Sequence, residues 1–157
     1  MGEEPDGRQE PQGTQDYRFS DQIGYLLRRA YQRHLAIFQA NASDPHLTAV
    51  QFSTLCALRD RGAQSQGALV KSTGVDQATI RGIVDRLKWR GFISLSKDRH
   101  DGRKVIIDIT PAGRETLERM IPCAARISEL TMQDLNPAER MALLYTLRRI
   151  SGTEEAE

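Results

Sequence analysis

The side chains best equipped for chemistry in this 157-residue chain are donors for anions and base edges, and they cluster between residues 65 and 104. Over residues 77–90, Ile80, Ile83, Val84 and Leu87 recur at helical spacing. That apolar stripe turns Gln77, Ala78, Arg81, Gly82 and Asp85 to the opposite face. Gln and Arg carry donors that fit adenine and guanine edges, while Ala78 and the Thr79 methyl suit thymine methyls. Gly82 keeps that face low, so that a backbone can come close to bases. Arg86, Lys88 and Arg90 suit phosphates, contacts that set position rather than sequence. Ser65 and Gln66 open the preceding helix, where side chains and free backbone N–H groups can hold a phosphate together. Downstream, the polar stretch 97–104 adds Lys97, Arg99, Arg103 and Lys104. An arginine there fits a narrow, A·T-rich minor groove.

Turnover chemistry is not encoded in the same way. No convergent acid–base or nucleophile set is evident, so no catalytic residue or cofactor is expected and the chain is not read as an enzyme. His34, His46 and His100 are scattered without metal-ligand spacing, and no metal site is expected. Cys56 and Cys123 fit neither a disulfide framework nor a cysteine-rich zinc site. Cys56, on an apolar helical stretch, reads as a small core residue.

The elements that position the donors follow from periodicity and breakers. A helix is expected from Phe19 to about Ala40, capped by Ser20, with Ile23, Leu27, Ala30, His34 and Ile37 on its apolar stripe. A second runs from Thr48 to about Arg61. A short third is capped by Ser65 and ends at Gly74, and a fourth is capped by Asp76 and stops at Gly91. The period then changes: residues 92–96 and 105–110 read as strands of a hairpin with a charged tip. Trp89, near the end of the fourth helix, is expected to pack against this hairpin. Pro111 opens a long helix to about residue 133, in which Pro122 predicts a kink or two abutting helices. Asn136-Pro-Ala-Glu139 opens the last helix, to about Ser151, with Met141, Leu144, Leu147 and Ile150 as its stripe.

Short helix, turn, helix and basic hairpin form the order of a winged helix-turn-helix. The expected fold is mainly α, with a small β-hairpin wing. The net charge of +1 argues against a nucleic-acid partner only until it is mapped. Residues 46–110 hold eleven lysines and arginines against six aspartates, while residues 1–16 hold five acids and one arginine. A basic middle between acidic ends is the electrostatic footprint of an anion-binding surface. The domain reading is a disordered acidic tail over 1–16, helical segments at 17–45 and 111–151, a DNA-binding domain at 46–110 and an acidic tail at 152–157. No membrane span or signal segment is apparent, so a cytoplasmic, nucleoid-associated protein is expected.

These residues resemble a known family. The run Asp76-Gln-Ala-Thr-Ile-Arg-Gly-Ile-Val-Asp-Arg-Leu-Lys-Trp-Arg-Gly91, then Asp98-Arg-His-Asp-Gly-Arg103, then Ile109-Thr-Pro-Ala-Gly-Arg114 is similar to the MarR family of winged-helix transcriptional regulators. The resemblance spans residues 17–151. It implies a homodimer, with 17–45 and 111–151 as its helical dimerisation region, on a double-stranded, pseudopalindromic DNA operator, released by a small aromatic acid effector. It also implies Arg103 as the wing residue in the minor groove and Asp101 as the carboxylate supporting it. Gly82 departs from the arginine common there, and Arg81 from a threonine, which implies a different operator. The first helix, residues 24–38, resembles the branch that represses aromatic-acid catabolism, nicotinate catabolism in particular. Candidate effector contacts are Tyr25, Arg29, His34, His46 and Phe52, each with a plainer reading as packing, ion pair or solvated side chain. A cysteine-based redox-sensing regulator and a helical interaction dimer that does not bind DNA are the alternatives.

Overall fold

The computed structural model describes residues 17–153. The expected acidic tail over 1–16 lies outside them, as does most of the one over 152–157. The elements are a 3-10 turn at Phe19–Asp21, then α1 (Ile23–Asn41), α2 (Ala49–Arg61), β1 (Gln64–Ser65), α3 (Gln66–Thr73) and α4 (Gln77–Trp89). After these come β2 (Ile93–Lys97), β3 (Val105–Ile109), α5 (Pro111–Thr131) and α6 (Pro137–Ser151). The chain divides within α1, after Gln32, into two compact units.

In the first unit, Ser20 is not the expected helix cap. Its hydroxyl bonds to the Asp21 carboxylate at 3.3 Å, and α1 begins only at Ile23, after the 3-10 turn. Short local partners for Ser and Asp compete with helix geometry in this way. Ile23, Leu26 and Leu27 are exposed, whereas His34 and Ile37 of the predicted stripe, which belong to the second unit, are half-buried.

In the second unit one core joins α2, α3, α4, the sheet and α5. Leu55, Leu58, Leu69, Ile80, Leu87, Ile107, Leu117, Met120 and Ile127 are fully or almost fully buried in it. Each helix here starts where a side-chain oxygen meets orphan N–H groups. Thr48 and Gln51 make a reciprocal capping box, Ser65 accepts from Ala68, Asp76 from Thr79, and Asn136 and Glu139 make a second box. α1 contributes Phe38 to the core, whereas no residue of α6 is buried.

The sheet has three strands in the order β1-β3-β2, all antiparallel, with Ile93 opposite Ile109 and Lys97 opposite Val105. β1 is too short for its alternation to show in the sequence. It pairs Gln64 with Ile107 and so ties the start of α3 to the hairpin.

Pro122 does not divide α5 into two helices; the helix is continuous from Pro111 to Thr131. Pro122 and Glu118, whose carbonyl loses its i+4 donor, both lie on the exposed side. Water can satisfy that carbonyl there, while Thr116, Leu117, Met120 and Ile127 hold the opposite face.

The passage from β3 into α5 is the tightest place in the fold. Thr110 donates its N–H to the Phe92 carbonyl at 3.0 Å and its hydroxyl to the Gly91 carbonyl at 2.6 Å. The same hydroxyl oxygen accepts the Gly113 N–H. A Cβ at Gly113 would stand 2.3 Å from the Phe92 carbonyl oxygen and 2.8 Å from Ile109 Cγ1. Backbone cannot yield as a flexible side chain does, so this glycine is required by space. Gly113→Ala is expected to cost about 1–3 kcal/mol, read as a lower urea midpoint. Gly24→Ala, where nothing lies within 4 Å, is the control and is expected to cost nothing.

Candidate nucleic-acid interface

α4 lays Ile80, Ile83, Val84 and Leu87 into the core, and this burial fixes which side chains face out. Gln77, Ala78, Thr79, Arg81, Asp85 and Arg86 are all exposed, and Gly82 between them has open space where a Cβ would be. The Thr79 hydroxyl donates to Asp76 Oδ2 at 2.6 Å, and the Thr79 N–H donates to Oδ1. Those bonds hold the Asp76 carboxyl below the ordinary carboxylate range. The hydroxyl of Thr79 is therefore engaged with the cap.

Ser65 and Gln66 stand at the N-terminus of α3, half-buried. Ser65 Oγ accepts the Ala68 N–H as the cap, so its own proton remains to donate. The helix N-terminus adds its partial positive charge.

The hairpin tip is organised by two aspartates. Asp98 Oδ1 accepts the N–H groups of His100 and Asp101, and both bonds hold its carboxyl low. Asp101 Oδ1 accepts the Arg103 N–H at 3.1 Å and lies 3.7 Å from Arg103 Nε. The Arg103 side chain is 97% exposed all the same, so Asp101 orients it without covering it. Arg99 and Lys104 are exposed beside it. Between α4 and the hairpin runs a hollow of about 380 Å³, lined by Gln66, Arg81, Val84, Asp85, Leu95, Val105 and Ile107. Two of the predicted DNA-contact side chains, Gln66 and Arg81, thus line one hollow.

Behind this surface, Arg90 is not the phosphate ligand its type suggested. It turns back to bond the Asp44 carboxylate in the loop between α1 and α2, with its guanidinium 4.4 Å from the Phe92 ring centre. Burial raises the Asp44 carboxyl, but the Arg90 bond, the His46 N–H and the two nearby charges outweigh it and leave the group low. Trp89 also departs from expectation: it does not pack on the wing but is 89% exposed.

The candidate effector contacts are placed less coherently. In the first unit Tyr25 is half-buried against Phe19, with ring centres 4.8 Å apart, and Arg29 is exposed. In the second, His34 Nδ1 lies 3.0 Å from Thr131 Oγ1. The Thr131 hydroxyl gives its proton to the Ile127 carbonyl, so it accepts from His34 Nδ1–H, which assigns the tautomer. Phe52 packs against Phe38, and His46 is exposed. The hollow between α1 and α5 is lined by Arg33, Ala36, Ile37, Ala40, Asn41, Leu130 and Gln133, so it takes its walls from neighbours of His34 rather than from the candidates. Cys56 is half-buried, and burial pushes its thiol up, the reverse of what a reactive thiolate needs. Among the described residues no group of three or more His, Cys, Asp or Glu could hold a metal ion, and no helix is long and apolar enough to cross a membrane.

The model of the MarR family matches residues 47–105, from the start of α2 to the first residue of β3. The HTH-type transcriptional repressor NicR of Pseudomonas putida is 56% identical over 145 residues, 92% of this chain and 92% of its own length. The chain belongs to the MarR family. It is accordingly a winged-helix, DNA-binding transcriptional regulator and not an enzyme. Among solved structures, BpsR of Bordetella bronchiseptica, whose DNA binding is regulated by 6-hydroxynicotinic acid, superposes with a TM-score of 0.81 at 53% identity. That match covers 87% of this chain and 98% of BpsR. PcaV of Streptomyces coelicolor, in complex with its natural ligand, superposes at 0.79 with 26% identity over 87% of this chain and 96% of its own.

One consequence of the site's surroundings is open to titration. Burial lowers the His34 imidazole from its ordinary value near 6.5, so the unfolded chain takes up the proton first. Stability is therefore present above about pH 6.5 and lost as pH falls through the lower, folded value. Urea unfolding from about pH 7.5 down to about pH 5.5 is expected to show that loss. His34→Gln, which keeps a donor toward Thr131, is expected to flatten it.

Proposed function

We propose that this protein is a repressor whose homodimer grips a pseudopalindromic operator and lets go when a small aromatic carboxylate binds. The observation that carries the reading is the exposed face of α4, where Gln77, Ala78, Thr79 and Arg81 surround a low Gly82 beside the hairpin arginine Arg103. In the reading, α4 enters the major groove, with Gln77 and Arg81 on base edges and Ala78 and Thr79 offering methyl contacts. Ser65, Gln66 and Arg86 hold phosphates, while Arg99 and Lys104 flank Arg103 as it reaches the minor groove. Arg103 leads there because Asp101 orients it while leaving it exposed.

Exposed apolar side chains support a second copy as the immediate partner. Ile23, Leu26, Leu27 and Tyr31 on α1, and Met141, Leu144, Tyr145 and Ile150 on α6, are exposed in the single chain. Faces of this kind mark interfaces, and two-fold pairing places two α4 helices on half-sites about one turn of DNA apart. A cytoplasmic, nucleoid-associated location follows from DNA as the partner. The effector class is supported by the likeness to BpsR and its regulation by 6-hydroxynicotinic acid. Hydroxylated nicotinates and benzoates are the first compounds to try. Tyr25, Arg29, His34, His46 and Phe52 remain the effector contacts of this reading, with Arg29 offering charge to the carboxylate.

DNA recognition is tested by titrating a duplex from the promoter region adjoining the gene at fixed salt. Arg81→Ala is expected to cost about 1–3 kcal/mol and to relax discrimination at one base pair per half-site. Arg103→Ala is expected to weaken binding through the wing. Unchanged affinity in both variants sinks the assignment. For the effector, 6-hydroxynicotinate is expected to raise the melting temperature and release the duplex, because release requires tighter binding to the DNA-free arrangement. Melting that shifts with no change in DNA affinity would show a ligand but not an inducer.

A further inference from the structure

Trp89 is the only tryptophan in the chain, and at 89% exposure it is a large apolar ring left in water. Its position on α4 is not arbitrary. With about 100° per residue, Ala78, Gly82, Asp85 and Trp89 fall on one strip about 60° wide, opposite the buried Ile80, Ile83, Val84 and Leu87. The tryptophan thus continues the centre line of the recognition face. Eleven residues separate it from Ala78, about 16 Å of rise, against a major groove about 12 Å wide. When the first turn of α4 is at the base edges, Trp89 has reached the groove wall. Arg86 and Lys88, both exposed, flank it on either side, while Arg90 is withdrawn to Asp44 and does not compete for the same phosphates.

We infer that Trp89 is a DNA-backbone contact: its indole lies across the deoxyribose of the groove wall, Nε1–H donates to a phosphate oxygen, and Arg86 and Lys88 pair with phosphates beside it. An indole is apolar over most of its surface and carries one donor and no acceptor, which matches a sugar face edged by anionic oxygen. The contact reads no base, so it strengthens binding to any duplex and fixes how deeply the N-terminal turn of α4 sits. This inference rests on α4 being the recognition helix and is separable from it by experiment.

The full chain carries its own probe, since the single tryptophan can be excited selectively. Saturation with the promoter duplex, or with a random duplex at low salt, is expected to shift Trp89 emission and to shield it from acrylamide. Trp89→Ala is expected to weaken both duplexes about tenfold with an unchanged melting temperature, the scale of one charge-assisted hydrogen bond. Trp89→Phe, which keeps the ring without the donor, is expected to recover part of that loss. Emission and quenching that ignore DNA, or full affinity in Trp89→Ala while Arg81→Ala still loses binding, overturn the contact and leave the recognition helix standing. Loss of neither in both variants rejects the recognition helix itself. An emission shift produced by raising protein concentration without DNA assigns Trp89 to contact between copies and likewise overturns the proposal.

Discussion

The carbonyl of Phe92 is where the winged helix is held together. It accepts the Thr110 N–H and stands where a side chain on Gly113 would have to be. The ring of the same residue lies under Arg90, whose guanidinium is bonded to Asp44 in the loop before α2. One residue therefore receives the end of α4, the first strand of the hairpin, the start of α5 and, through Arg90, the α1–α2 loop. Gly91, at φ 73°, makes the turn that brings Phe92 there. The recognition helix and the wing belong to one rigid piece because both leave from this junction in opposite chain directions. The junction also has a cost: Arg90 Nη1 is buried without a hydrogen-bond partner, so the Asp44 bond and the ring must hold the charge largely by themselves.

Anchoring Arg90 inward changes how charge is divided on this surface. Side chains with low exposure build the scaffold, and those with high exposure are left to meet phosphate. Arg90 and Asp44 neutralise each other, while Arg103 keeps almost all of its surface in water despite the Asp101 carboxylate nearby. At 3.7 Å and with that exposure, the Asp101–Arg103 pair contributes little to folding, because water and salt screen it. Its effect lies in direction: the backbone N–H of Arg103 is bonded to the same carboxylate, so the chain at the tip is turned before any DNA arrives.

Much of this was legible from residue types alone where a local rule decides the outcome. Caps at Ser65, Asp76, Thr110 and Asn136, and the buried stripe of α4, need only nearby partners and a period. Where the fold departs from these rules, a nearer or a more distant partner decides. Ser20 meets Asp21 beside it instead of capping a helix, and α5 stays continuous past Pro122, which lies on the exposed side. Arg90 looked like its basic neighbours until the loop carrying Asp44 came beside it. β1 has two residues and no pattern to read; only its pairing with Ile106 and Ile107 defines it. The stripes of α1 and α6 are apolar by type, yet Ile23, Leu27, Met141, Leu144 and Ile150 on them are exposed.

Under the proposed function, recognition is clearer than regulation. The donors of α4 and the hairpin are arranged by a core that one chain completes, so their geometry can be argued residue by residue. The candidate effector contacts are drawn from α1 and the start of α2, and Arg29 lies on a segment whose apolar side chains are still exposed. In the proposed homodimer, a ligand and a second chain that meet the α1 surface draw on the same apolar side chains, so the two free energies are linked. Control of DNA binding in that proposal needs no path through the core of the winged helix: a shift in how two copies pair is enough to move two α4 helices off their half-sites.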